Sequence, residues 1–145
     1  MRVVIQRVKK ARVKVNKKLI GQIGQGLVVL FGVGKEDTEK DARYIVDKIL
    51  HMRIFIKNED RFDQSLLDVG GEILVVPQFT LYADTSKGRR PFFGEAAKPE
   101  VAERLYEKFI KILKEKGVKV ENGQFGAKME VELINDGPVT IILDS

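Results

Sequence analysis

The sequence Met129-Glu130-Val131-Glu132-Leu133-Ile134-Asn135-Asp136-Gly137-Pro138-Val139-Thr140-Ile141-Ile142-Leu143 joins two apolar, β-favouring runs through four residues that interrupt regular structure. This pattern predicts a hairpin whose two strands meet in a tight turn at residues 135–138. Gly137 suits such a turn because glycine readily adopts positive φ. Pro138 suits it less, because proline has no N–H to donate at the start of a strand. A proline here either ends the pairing early or presents backbone carbonyls to another partner.

Two apolar runs elsewhere in the chain predict buried central strands, at residues 26–31 and at residues 72–82. Side chains alternate between the two faces of a strand. The second half of the later run therefore places polar side chains on one face, at Gln78, Thr80 and Tyr82. Such a group forms either a satisfied internal network or the floor of a site.

Two helices with apolar stripes lie between the strands. The first is predicted to begin near Asp37-Thr38, where Asp41 completes a capping box, and the second to run from Pro99 to Gly117. The order strands, helix, strands, helix, strands predicts an α+β layered fold. The length favours a single domain over residues 1–145.

The amino-acid composition excludes several kinds of functional site and argues against several cellular locations. The chain has 145 residues and no cysteine, which excludes a disulfide framework and a thiolate nucleophile and fits a cytoplasmic protein. Its first residues lack the apolar core of a signal peptide, and no apolar run approaches the roughly 20 residues of a membrane span. We therefore expect a soluble, cytoplasmic protein that does not enter the membrane.

The basic charge has two interpretations that stay open. With 26 lysines and arginines against 21 acidic residues, the net charge is +5. This excess indicates either a solvated Lys/Glu-rich surface or a surface that binds a polyanion. The segment Lys87-Gly88-Arg89-Arg90-Pro91 favours the second, because Lys87, Arg89 and Arg90 stand among loop formers rather than alternating with glutamates.

Arg7 is a cation on an apolar strand face, since it has the same parity as Val3 and Ile5. Such a residue is either paired in the interior or directed at a site. In the second case we expect it to bind substrate.

The residue types exclude several standard sites. Gly32-Val33-Gly34-Lys35-Glu36 is not a P-loop, because glutamate follows the lysine, and the glycines of residues 21–26 have no helix after them. His51 is the only histidine, which with the absence of cysteine leaves few ordinary zinc ligand sets and almost no room for a Ser-His-Asp or Cys-His mechanism. We expect no metal and no cofactor. An enzyme of this composition would depend on backbone donors, hydroxyls and the substrate's own groups, which suffice to hydrolyse an activated ester.

Three separated stretches together resemble one family, the D-aminoacyl-tRNA deacylases, also described as D-Tyr-tRNA deacylases. They are Val76-Pro77-Gln78-Phe79-Thr80-Leu81-Tyr82-Ala83-Asp84 with the basic segment after it, Phe125-Gly126-Ala127-Lys128-Met129, and Asn135-Asp136-Gly137-Pro138-Val139-Thr140. The first eight residues and the length also resemble the family, so the likeness covers the whole chain.

The resemblance implies a homodimer with two stacked, mostly antiparallel β-layers and two main helices. It implies removal of D-amino acids, and of achiral glycine, from the terminal adenosine of tRNA, with help from a substrate 2′-hydroxyl and without a cofactor. A Gly137-Pro138 cis peptide would enter the partner subunit's pocket, where its carbonyls would exclude an L side chain. Lys87, Arg89 and Arg90 would bind tRNA.

The same resemblance assigns pocket residues. Gln78, Phe79 and Thr80 would form the catalytic floor, where backbone N–H groups stabilise the oxyanion, and Phe125 and Met129 would wall the adenosine region. The stretch departs from the family's usual Ser-Gln-Phe-Thr, because a proline precedes Gln78 and offers neither a hydroxyl nor an N–H. An alternative function stays open, a non-catalytic RNA-binding module, which needs the basic segment but no pocket.

Overall fold

A long first strand organises the sheet. The sequence Lys57-Asn58-Glu59-Asp60 also predicts a turn, but the computed structural model describes residues 1–57 and 61–145, so most of these four residues lie outside the described residues. The described chain forms, in order, β1 Arg2–Val15, β2 Lys18–Ile23, β3 Gly26–Gly32, α1 Glu39–His51, β4 Phe55–Ile56, β5 Phe62–Gln64, β6 Glu72–Pro77, a 3-10 helix Phe79–Tyr82, α2 Pro99–Glu115, β7 Val120–Asn122 and β8 Glu130–Asp144. β1 pairs antiparallel with β3 along its first half, with β2 along its second half and with β8 along both. β6 and β7 extend the sheet in parallel beyond β3, while β4 and β5 form a separate small sheet.

The main sheet has helices on one side and a second β-layer on the other. Successive residues of β3 point to opposite faces of the sheet. Because both faces are covered at β3, its sequence is apolar throughout. Leu27 and Phe31 pack with both helices. Val28 and Leu74 pack on the other face against β2 and the distal parts of β1 and β8. The predicted α+β layered arrangement is confirmed.

The predicted helix signals are also confirmed. At the start of α1 the Thr38 hydroxyl accepts from the Lys40 N–H, and the Thr38 N–H donates to Asp41 Oδ2 at 2.8 Å. These contacts with the Thr38 backbone, and then with its hydroxyl, lower the pKa of Asp41 to about 2. α2 begins at Pro99, and Gly117 just beyond its end has φ 79°, a conformation that favours glycine.

The predicted terminal hairpin is wrong. β8 is one strand, and both of its halves pair antiparallel with β1. Between the pairs Gln6↔Thr140 and Val8↔Asn135, β1 advances two residues while β8 advances five, so β8 carries a bulge of three extra residues. Period-two alternation is the same in a hairpin and in a long bulged strand, because it does not identify the partner strand.

The second predicted central strand is shorter than residues 72–82. β6 ends at Pro77 and a 3-10 helix follows at Phe79–Tyr82. The Gln78 N–H continues the hydrogen bonding with β3 one residue beyond Pro77, donating to the Phe31 carbonyl at 2.8 Å. The polar side chains predicted to alternate along a strand therefore lie on a helical turn.

Candidate active site

A mainly apolar pocket of about 640 Å³ opens where β6 ends. The 3-10 helix, the start of α2 and the segment that enters β8 surround it. Four predicted site residues line it, namely Gln78, Phe79, Phe125 and Met129. An apolar cavity with few polar groups suits a flat ring that brings its own hydrogen-bonding atoms.

Two backbone N–H groups are available beside this pocket. The Gln78 N–H is engaged by Phe31, as described above. Within the described part of the chain, the N–H groups of Phe79 and Thr80 have no acceptor, as is usual for the first residues of a helical turn. Both residues are exposed. Two adjacent donors of this kind can stabilise negative charge on a substrate oxygen.

The Thr80 hydroxyl is not activated. It accepts a hydrogen bond from Gln78 Nε2, and among residues 1–57 and 61–145 no carboxylate or histidine bonds to it. A threonine without an adjacent base is a weak nucleophile. Tyr82 turns away from this pair, with its hydroxyl 3.4 Å from Asp37 Oδ2. Burial and then the Asp37 charge raise the pKa of Tyr82 to about 12, so it remains a neutral phenol.

The Gly137-Pro138 bond is cis and both residues are exposed. Asn135 holds the bulge around them: its Oδ1 accepts from the Val139 N–H at 2.7 Å and its Nδ2 donates to the Val139 carbonyl at 3.2 Å. The sequence analysis missed this role of Asn135. The available signal was an amide side chain preceding Asp-Gly-Pro, since such side chains often bridge turns.

Arg7 supports the bulge from the other side. It is only 5 % exposed, its Nε donates to the Asp136 carbonyl at 2.8 Å and its Nη1 donates to the Ile54 carbonyl at 2.6 Å. The interior pairing considered for this cation is therefore present. Arg7 does not line the pocket of its own chain, and a direct contact with substrate stays a prediction.

The bulge and the pocket of one chain lie far apart. On β1, Arg7 lies beside the bulge. Val3 lies at the level of the pocket, because it pairs with Phe31, whose carbonyl accepts from the Gln78 N–H. The two residues are four positions apart, which is about 13 Å along the strand. Beside the bulge, Thr140 of β8 is separated from Leu74 of β6 by one residue of β1 and one of β3, about 14 Å across the sheet. The pocket of one chain is therefore not lined by the Gly137-Pro138 segment of the same chain.

The basic segment is a loop beside the pocket mouth. Two hydrogen bonds between Asp84 and Phe92, at 2.7 and 2.9 Å, close its base. The neighbouring Phe93 packs edge-on against Phe79 with ring centroids 5.0 Å apart. The three cations predicted to bind tRNA are exposed and form no ion pair within the described residues: Lys87, Arg89 and Arg90.

Other functional groups lie elsewhere. His51 is at the end of α1, exposed, with Nδ1 2.9 Å from the Asp47 carbonyl. The described residues contain no cluster of three or more His, Cys, Asp or Glu side chains able to hold a metal ion. Among the helices that the structure describes, none is long and apolar enough to cross a membrane.

Comparison with known proteins gives consistent matches over nearly the whole chain. The model of the family described as D-Tyr-tRNA(Tyr) deacylase matches residues 4–144. A relative from Thermosipho melanesiensis named D-aminoacyl-tRNA deacylase is 58% identical over 146 aligned positions, which cover 100% of this chain and 97% of the relative. A relative of the same name from Clostridioides difficile is 57% identical, with the same coverage.

Two solved structures are similar. A structure titled "c-Myc DNA Unwinding Element Binding Protein" has a TM-score of 0.93 and 42% identity, covering 100% of this chain and 99% of the other. A probable eukaryotic D-amino acid tRNA deacylase has a TM-score of 0.89 and 24% identity, with coverage of 99% and 98%. The second likeness concerns the fold alone.

Proposed function

The chain belongs to the D-Tyr-tRNA(Tyr) deacylase family, and from this premise we propose that it proofreads the chirality of aminoacyl-tRNA. The enzyme is a hydrolase of D-aminoacyl-tRNA. In the proposed reaction it cleaves the ester that joins a D-amino acid, or glycine, to the terminal adenosine and releases the free amino acid and tRNA. It leaves L-aminoacyl-tRNA intact. It works in the cytoplasm as a homodimer and without a cofactor.

The pair of free amides at Phe79 and Thr80 carries this proposal. Attack of water on an ester carbonyl places negative charge on the carbonyl oxygen, and preorganised N–H donors lower the barrier to that step. Substrate bound in the apolar pocket beside the amides would displace water, which would strengthen their interaction with the oxyanion. No side-chain nucleophile is required, in agreement with the unactivated Thr80 hydroxyl.

The substrate supplies the remaining proton chemistry. In the proposed step a water molecule adds to the carbonyl carbon, the bond to the ribose 3′-oxygen breaks, and that oxygen takes up a proton with help from the neighbouring 2′-hydroxyl. The products are a tRNA with a free 3′-hydroxyl and a free amino acid. The role of the protein is to position the ester and to stabilise the oxyanion, and positioning alone contributes a large share of many rate accelerations.

The terminal adenosine occupies the apolar part of the pocket in this proposal. Phe125 and Met129 form one wall, opposite Phe79. An aromatic ring and a polarizable thioether can both pack on the face of a purine. Adenosine placed in this way directs its 3′-ester towards the amides of Phe79 and Thr80.

Selection against L-amino acids is assigned to the partner subunit. The carbonyls of its Gly137-Pro138 segment would occupy the space that an L side chain needs, whereas the hydrogen of a D-amino acid or glycine would fit. Asn135 and Arg7 support this arrangement, because they hold the bulge on both sides. The distance between bulge and pocket within one chain supports the assignment to a second subunit.

The basic loop extends the site towards the nucleic acid. The base of this loop adjoins the pocket through Phe93, and its three exposed cations would meet the phosphates that precede the terminal adenosine. Lysine and arginine bind phosphate without reading base sequence. The loop therefore holds the 3′ end of tRNA regardless of the amino acid.

The proposal is tested by incubating the protein with D-tyrosyl-tRNA and, separately, with L-tyrosyl-tRNA. We expect rapid release of D-tyrosine and no release of L-tyrosine above the rate of spontaneous hydrolysis. A binding module would protect both esters or leave both unchanged, and release of both amino acids at the same rate would refute chiral selection.

A further inference from the structure

Tyr106 on α2 has no assigned role in the proposed hydrolysis of D-aminoacyl-tRNA. It is 3 % exposed, and its hydroxyl lies 2.9 Å from the Val75 carbonyl oxygen and 3.0 Å from the Gly123 carbonyl oxygen. A phenol donates one proton, so the two carbonyls share it. Burial raises the pKa of Tyr106, and the proton is therefore retained at neutral pH.

The two carbonyls belong to the two sides of the pocket. Val75 lies on β6, two positions before Pro77, and this strand delivers the free amides. Gly123 follows β7 and begins the segment that carries Phe125 and Met129. That segment is tightly placed, since a Cβ added to Gly123 would lie 2.6 Å from Met129 Sδ.

Further contacts connect the same groups. The Gly123 N–H donates to the Val75 carbonyl at 2.8 Å, and Asn122 Nδ2 donates to the Gly123 carbonyl at 3.0 Å. The Tyr106 ring lies 6.1 Å from that of Phe125, measured between centroids. Both carbonyls would keep a donor if the hydroxyl were removed, so the hydroxyl is not needed to avoid a buried unpaired group. Its remaining effect is to fix the spacing of the two walls.

We propose that Tyr106 is a positioning residue of the active site: its hydroxyl fixes the segment of Phe125 and Met129 against the strand that presents the catalytic amides. The proposal rests on the proposed function in one respect, that this segment holds the terminal adenosine. The role of Tyr106 was not predicted from the sequence, because its carbonyl acceptors are remote in sequence.

Tyr106→Phe tests the proposal, with Tyr44→Phe on the exposed face of α1 as the matched control. Two measurements are made on the full-length enzyme: amide hydrogen exchange of residues 123–128, and steady-state kinetics with D-tyrosyl-tRNA. We expect faster exchange confined to this segment and a rise in KM of about three- to tenfold, with kcat changed by less than about twofold. The control should alter neither quantity.

Unchanged exchange at residues 123–128, or faster exchange without a rise in KM, would overturn the proposal. If Tyr106→Phe does not fold, Asn122→Ala removes another contact to the same carbonyl, and it should produce the same local exchange and the same KM effect. Normal exchange or a normal KM in that variant would also overturn it. A wild-type enzyme that does not cleave D-tyrosyl-tRNA would refute the proposed function instead, and the exchange comparison would still decide whether Tyr106 holds the segment.

Discussion

In the proposed reaction, the backbone and the side chain of Thr80 have separate roles. The N–H is free to stabilise an oxyanion, whereas the hydroxyl accepts from Gln78 and has no base beside it among the described residues. We therefore expect Thr80→Ala to retain at least about a third of the wild-type single-turnover rate, a change below 1 kcal/mol in the barrier. Rapid-quench hydrolysis of D-tyrosyl-tRNA measures this rate.

Complete loss of hydrolysis by Thr80→Ala, with the circular dichroism spectrum unchanged, would contradict this separation. It would assign the hydroxyl a direct part in the chemistry.

Individual residues were predictable where a local motif carried them. The family resemblance assigned Gln78, Phe79, Phe125 and Met129 to the site, and these four line one pocket, whereas Thr80 is not among its lining residues. Their roles in the reaction stay predictions. The position of Arg7 on the apolar face of β1 could be predicted, because it alternates in step with Val3 and Ile5. Its partner could not be predicted, because Asp136 is 129 positions away. Side chains whose partners are remote backbone carbonyls leave no periodic signal.

At the scale of elements, helices were easier to predict than the ends and partners of strands. The capping box and apolar stripe of α1 are local features, and both are present. The bulge of β8 depends on its pairing with β1, more than a hundred positions earlier in the chain, whereas the turn-forming residues 135–138 favoured a hairpin. The 3-10 helix after β6 was missed for a similar reason, since β3 ends at Gly32 and offers the chain no further partner.

The capping box of α1 predicts a dependence of stability on pH. The pKa of Asp41 in the folded protein is about 2, below its ordinary value of 3.8, so the carboxylate stabilises the fold above about pH 4 and loses this effect as the pH falls towards 2. Asp41→Asn should lower the free energy of unfolding by about 1 kcal/mol at pH 7. The difference from wild type should shrink between pH 4 and pH 2 and vanish below it.

Urea unfolding at several pH values measures this difference. Glu103→Gln, an exposed carboxylate of α2, is the control and should differ little from wild type at any pH. A constant difference between Asp41→Asn and wild type from pH 7 to pH 2 would exclude the carboxylate charge as its cause.

The basic loop predicts the salt dependence of tRNA binding. If Lys87, Arg89 and Arg90 each contact a phosphate, changing all three to alanine should weaken binding and reduce the slope of log K against log salt by about 2 to 3. Filter binding of deacylated tRNA between low and moderate salt measures the slope. A matched triple variant of exposed helix lysines, Lys40, Lys111 and Lys114, should leave the slope nearly unchanged.

An unchanged slope in the loop variant would show that these cations do not contact phosphate and belong to an ordinary solvated surface. Equal effects of both triple variants would indicate a general effect of net charge rather than a defined contact.

At the scale of the whole molecule, the proposed active site is incomplete in one chain. The bulge that would select chirality is about 20 Å from the pocket of its own chain, by combination of the distances along and across the sheet. β8, which carries the bulge, pairs only with β1 among the described strands and exposes Ile134 and Ile142, at 47 % and 64 %. An apolar edge strand of this kind suits burial against a second subunit.

Loosening the bulge should weaken selection without disabling the pocket. Asn135→Ala removes both of the contacts that hold Val139. We expect the ratio of the D-tyrosyl to the L-tyrosyl hydrolysis rate to fall by at least about tenfold, mainly because the L rate rises. Gln22→Ala, an exposed amide on β2, should keep the wild-type ratio.

A heterodimer with two different chains shows whether the bulge of one subunit selects chirality at the pocket of the other. One chain carries Ala127→Trp, which fills its own pocket, and the other carries Asn135→Ala, and the mixed species is purified through two different tags. Its only open pocket faces an intact bulge from the other chain. The measurement is the D-to-L ratio of single-turnover rates for this heterodimer. The account predicts the wild-type ratio, whereas the low ratio of the Asn135→Ala homodimer, or failure of the two chains to associate, would contradict it.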